Sequence, residues 1–186
     1  MSSNRIREDY RRHSLLAAEH KGSFWGRVWK NKKLIHEREG KSVDGLIIEL
    51  RDFVDDLLDQ SATRRAATPS EEEYVKAFQC ILGDLNDNYI AMLKAHYCAE
   101  DQTITATELA EAAGYKDYGA ANLHYGTIGK HLFEELPVVL PKRADGTRIY
   151  TFALATEGER SGDEANWQWK LRPEVTFALE RLGLVT

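Results

Sequence analysis

Between Asp44 and Asp59 apolar residues recur with helical spacing. Leu46, Ile47, Leu50, Phe53, Val54, Leu57 and Leu58 fall at i, i+3, i+4 and i+7, while Asp52, Asp55, Asp56 and Asp59 lie largely off that stripe. The pattern predicts an amphipathic helix. Residues 61–70, SATRRAATPS, are small and polar and read as a linker. Ser70 and Glu73 then form a capping box, and Glu71, Glu72 and Glu73 suit the positive end of a helix dipole. Tyr74, Val75, Phe78, Ile81, Leu82 and Leu85 supply that helix's apolar face. Another helix is predicted from about Asp87 to Cys98. Thr105 and Glu108 cap a short one, closed by Gly114 as a left-handed C-cap. A longer helix runs from about Tyr118 to Leu136 and stops before Pro137.

Past Pro137 the pattern changes. In VVLPKRADGTRIYTFAL, two β-branched and aromatic runs flank Asp145-Gly146, a strong hairpin signal. Trp167 to Leu171 alternates like a third strand, after a polar loop, TEGERSGDEAN. Pro173 and Glu174 open a last helix that turns Val175, Ala178, Leu179 and Leu182 inward and ends at Gly183. The expected fold is therefore mostly α with a small antiparallel β-sheet, an α+β class. A helical N-terminal arm (residues 1–60) precedes a winged helix-turn-helix-like domain (residues 70–186).

Composition narrows the function. Of 186 residues, 42% are hydrophobic and 30% charged, as in an ordinary water-soluble domain. No apolar run approaches the roughly 20 residues that cross a bilayer, and MSSNRIREDYRRHS lacks a signal-peptide stretch. A cytoplasmic protein is expected. Two cysteines, Cys80 and Cys98, exclude a disulfide framework or a four-cysteine zinc site. The net charge of -5 disfavours broad, sequence-independent nucleic-acid binding. The charge is uneven, however. Residues 1–40 hold ten Lys or Arg against five acids, and residues 44–100 hold twelve acids against five bases.

The stretch 104–136 has the texture of a helix-turn-helix. Leu109, Ala110 and Ala113 face inward, Gly114 supplies the turn, and Ala120 and Ala121 allow close helix crossing. The hairpin that follows stands where a wing belongs, and Lys142, Arg143 and Arg148 make its tip basic. Asn122, His124 and Lys130, with Lys116 at the helix entrance, are placed for base edges or phosphates; the wing cations are placed for backbone phosphates. Against this, residues 115–150 carry five bases and four acids, thin charge for a duplex reader. NLHYGTIGKHL, TATELAEAAGYKDY and WQWKLRPEVTFALERLGL resemble a module of bacterial and phage restriction-type proteins, where it stands beside an HNH nuclease domain. The resemblance covers about residues 90–186. It implies an association with DNA restriction or mobile-element biology. It does not imply cleavage, because two isolated cysteines and scattered histidines cannot build the nuclease segment.

Catalytic signals are sparse. His124 and His131 are seven apart with Glu135 four further on, which is better read as polar residues on one helix face than as a metal site. Arg7 and His13 match a ribonuclease-like spacing that chance also supplies. No phosphate-binding Gly-rich loop or nucleophile motif is present. No enzyme and no cofactor are expected. Trp25 and Trp29, four apart among basic residues, either anchor an interface or pack on the 44–59 helix. Two functions follow. The first is a non-catalytic DNA-binding or restriction-associated accessory protein whose partner is double-stranded DNA. The second is a protein-interaction module, such as a phage-encoded anti-defence inhibitor. It would present Asp52, Asp55, Asp56 and Asp59 to a nucleic-acid-binding host protein, or dimerise through the 44–59 stripe.

Overall fold

In the computed structural model, which describes residues 4–65, 67–158 and 167–185, the chain divides into two units at Arg64/Arg65. The first corrects the helical arm. Residues 5–40 are four antiparallel strands in meander order: β1 (Arg5–Tyr10), β2 (His13–His20), β3 (Ser23–Lys30) and β4 (Lys33–Gly40). Only then comes a helix, α1 (Val43–Arg64), which also absorbs the start of the expected linker. The reason lies in the turns. Arg11-Arg12, Lys21-Gly22 and Asn31-Lys32 each adopt positive φ in adjacent residues, the type I′ geometry that matches strand twist. Lys21-Gly22 and Asn31-Lys32 contain a residue suited to it. Arg11, Arg12, Lys21 and Lys32 are not suited to it, and left-handed backbone costs such residues about 1 kcal/mol each.

α1 covers one face of this sheet. Arg51 holds Glu8 through two hydrogen bonds at 2.5 and 2.6 Å, and Tyr10 Oη and Arg11 Nε reach Asp55 at 3.1 and 2.7 Å. His36 stacks on Phe53 with ring centroids 3.9 Å apart. Strand register carries this face inward: Glu8 opposes Leu15, which opposes Val28, which opposes His36. Leu15, Val28, Leu50 and Val54 are wholly buried. The alternate residues lie on the opposite, uncovered face.

The second unit begins with α2 (Glu71–Ile81), α3 (Asp87–Cys98), a short strand β5 (Thr103–Thr105), α4 (Ala106–Ala113) and α5 (Tyr118–Glu135). The capping boxes at Ser70/Glu73 and Thr105/Glu108 both form, and Gly114 takes φ 69° to close α4. Strands β6 (Ala155–Glu157) and β7 (Gln168–Leu171) follow, then α6 (Pro173–Arg181). The sheet runs β5-β7-β6, all antiparallel. Most of the polar loop before β7, residues 159–166, lies outside the described residues.

The segment after α5 is a second correction. It does not form the expected strands. Around Asp145-Gly146 the chain reverses with a single bridge, Lys142 to Arg148, and then coils into a 3-10 turn over Tyr150–Ala153. Pro141 has no N–H to extend a ladder, and Gly129 draws the following residues onto α5 instead. A Cβ at Gly129 would lie 2.1 Å from the Tyr150 carbonyl oxygen. Backbone cannot swing aside as a side chain can. Gly129→Ala is expected to destabilise this unit by about 2–4 kcal/mol, read as a lowered midpoint in urea unfolding.

Candidate nucleic-acid and partner interfaces

A buried polar bridge orients α5. His96 of α3 is fully buried. Its Nε2 lies 2.8 Å from the Trp169 carbonyl, which only accepts, so Nε2 carries the proton. Nδ1 is then the acceptor for Tyr125 Oη of α5 at 2.5 Å. One imidazole thus joins α3, α5 and β7. Burial holds its pKa down at about 4, and burial likewise pushes the Tyr125 phenol upward. Both groups are neutral, which keeps the bridge affordable in a dry interior.

With its C-terminal turns buried through Ile128, Leu132 and Phe133, α5 exposes its first two turns. Asp117 caps them, its Oδ1 accepting from Ala120 N–H at 2.9 Å. Tyr118 and Leu123 are exposed there, Leu123 to 68%. They line a groove of about 1010 Å³ together with Asn122, Pro141, Arg143, Ile149, Phe152 and Trp167. The far wall is held firmly. Tyr74 Oη donates to the Ala153 carbonyl at 2.9 Å and Arg172 Nε to the Phe152 carbonyl at 3.0 Å. Phe152 meets Trp169 edge-on at 5.2 Å.

Among the seven nucleic-acid candidates, the groove unites Asn122 and Arg143. Lys116 and Lys142 are exposed outside its lining. Lys130, about two turns further along α5, stands 3.9 Å from Glu134. His124 turns toward Tyr89 and stacks on Tyr115 at 4.8 Å. Arg148 lies over the Phe133 ring. The expected basic wing therefore resolves into one groove cation, Arg143, and a turn fastened by Asp145, which accepts from Thr147. The aromatic wall was the missed part. Alternation puts Trp167 and Trp169 on one face of a strand, but nothing in the pattern says that Phe152 and Ile149 meet them there.

The first unit offers a second surface. Cross-strand rows on its uncovered face run Arg7–Leu16–Arg27–Glu37 and Arg5–Ala18–Trp25–Glu39, and Trp29 opposes Ser14. Both tryptophans thus point away from α1, which answers the alternative that they finish its core. Arg27 lies over the Trp25 ring at 4.5 Å and pairs with Glu37. Beside Trp29 a cleft of about 400 Å³ is lined by Arg7, Arg12, Ser14, Leu16, Asn31 and Lys32. Arg7 and His13 fall on opposite faces, and His13 is buried, so they cannot share a reacting group. Of the acids expected to meet a partner, Asp52 and Asp56 are exposed and Asp59 partly so, while Asp55 is engaged by Tyr10 and Arg11. No group of three or more His, Cys, Asp or Glu among the described residues is placed to hold a metal, and no helix there is long and apolar enough to cross a membrane.

Family models, curated proteins and solved structures give no match to this chain.

The His96 bridge has a pH signature. The folded-state pKa of about 4 lies below the unfolded value of 6.5, so the unfolded chain takes up the proton first. Stability from this group is complete above about pH 6.5 and falls as pH drops toward 4, by at most ~3 kcal/mol. Unfolding midpoints measured across that range are expected to fall, and in His96→Gln the fall is expected to be shallower from a lower starting stability.

Proposed function

We propose that this chain is a non-catalytic DNA-binding accessory protein whose second unit is a winged helix that presents the first turns of α5 to a duplex. The order α3, β5, α4, α5, β6, β7 with sheet order β5-β7-β6 supports a winged-helix assignment, and the α4–Gly114–α5 turn supplies its helix-turn-helix. The observation that carries the proposal is the pairing of Asn122 with Arg143 beside exposed Tyr118 and Leu123. An amide suits an adenine edge, an aliphatic side chain suits a thymine methyl, and Arg143 suits a phosphate or guanine. The restriction-associated setting rests on the sequence resemblance alone.

A specific observation favours the second reading, a protein-interaction module. The same groove is walled by Pro141, Ile149, Phe152 and Trp167, and Asp117 and Glu157 line it as well. Carboxylates there repel phosphates and welcome a basic protein.

Duplex binding measured against salt separates the two. The DNA reading predicts steep weakening with salt. Arg143→Ala should reduce the slope by about one, and Asn122→Ala should cost about 1–3 kcal/mol on a preferred sequence. Absence of duplex binding at low salt by the full chain removes the DNA reading and leaves the groove to a protein.

A further inference from the structure

We propose that the uncovered face of the first unit's sheet is a separate binding site for single-stranded nucleic acid, with a base stacked on Trp29. This proposal is independent of the winged-helix reading, because its residues belong to the other unit.

The cleft beside Trp29 has an apolar floor and a cationic rim. Trp29 and Leu16 form the floor; Arg7, Arg12 and Lys32 stand around it, and no carboxylate lines it. Asp9 stands in Trp29's own cross-strand row, Asp9–Ser14–Trp29, outside the cleft's lining, and accepts from Ser14 Oγ at 2.7 Å. A space of about 400 Å³ takes one nucleobase with its sugar, and the cations meet the adjoining phosphates. A duplex keeps its base faces stacked on one another, so it reaches only the rim. A splayed single strand offers the π-face that an indole on a sheet recognises. Charge agrees: residues 1–40 hold ten bases against five acids, unlike the rest of the chain.

The turns point the same way. In a meander the β1–β2 and β3–β4 turns share one end of the sheet. That end carries Arg12 and Lys32, both with left-handed backbone, φ 60° and 66°. Gly at these positions would relieve strain. Cations there are costly to folding and useful to a phosphate.

The test is titration of the full chain with a fluorescent oligothymidylate of about 12 nucleotides at low salt, read by anisotropy and by tryptophan quenching. Trp29→Ala should weaken binding roughly tenfold and Trp29→Phe much less, since a phenyl ring still stacks. Arg7→Ala with Lys32→Ala should lower the salt slope by about 1.4. Lys32→Gly should weaken binding while raising the urea unfolding midpoint, which separates binding from folding. Asn122→Ala and Arg143→Ala should leave oligothymidylate binding unchanged, so loss of one site does not imply loss of the other. Absence of binding at low salt overturns the proposal. So does affinity unaffected by Trp29→Ala, or displacement of the strand by polyglutamate as effective as by unlabelled oligothymidylate, which would make the face a general acidic-polymer surface.

Discussion

The neutral imidazole of His96 holds the second unit in its working shape. Its two nitrogens have opposite roles, and each is committed: a donor to the Trp169 carbonyl and an acceptor from Tyr125. No other arrangement satisfies a carbonyl that cannot donate and a phenol whose ionised form burial disfavours. The consequence reaches the surface. α5 is clamped through Tyr125 at mid-helix, β7 through Trp169, and the two together set the width of the groove between Leu123 and Trp167. Gly129 completes the constraint by letting the 150–153 turn lie directly on the helix. The groove is thus a product of buried contacts, with little left to the exposed side chains themselves.

The first unit rests on a different device. Its sheet is clamped to α1 by ion pairs and hydrogen bonds at the edge strands, Glu8 with Arg51, Asp55 with Tyr10 and Arg11, and Glu49 with Arg38. Half-exposed pairs of this kind contribute modestly to stability. Leu15, Ala17 and Val28, wholly buried on the α1 side, decide which face of the sheet is covered, and the pairs fasten its edges. The other face is left with tryptophan, leucine and arginine at its surface. Asp9, Glu37 and Glu39 share that face, and indoles among guanidiniums give it a composition suited to contact.

How much was legible in the sequence depended on whether local chemistry had one solution. Capping boxes, Gly114, Pro173 and the helical stripes have a single physical meaning, and five of the six helices were predicted within a few residues of their observed ends. The 44–59 stripe was also right, though α1 continues to Arg64. The N-terminal strands were missed because Trp25 and Trp29 share a face at helical and at strand spacing alike, and because Arg-Arg and Asn-Lys turns lack the Asn-Gly signature. The 142–148 hairpin failed for the opposite reason. Its turn chemistry was correct, and the tertiary approach at Gly129 together with Pro141 denied it strands. Asn122 and Arg143, both candidates in the sequence, line one groove; the aromatic wall needed a fold to bring residues 118, 152 and 167 together.

By the two proposals above, the units present two distinct contact faces, one fixed by the His96 bridge and one left open by α1. Backbone amide shifts of the isotope-labelled full chain, followed with a duplex and then with a short single strand, test this most directly. Duplex is predicted to move residues 116–123 and 141–143, and single strand to move β1, β2 and β3 around Arg7, Leu16 and Trp29. A single shared set of perturbations, or none in either region, would contradict it.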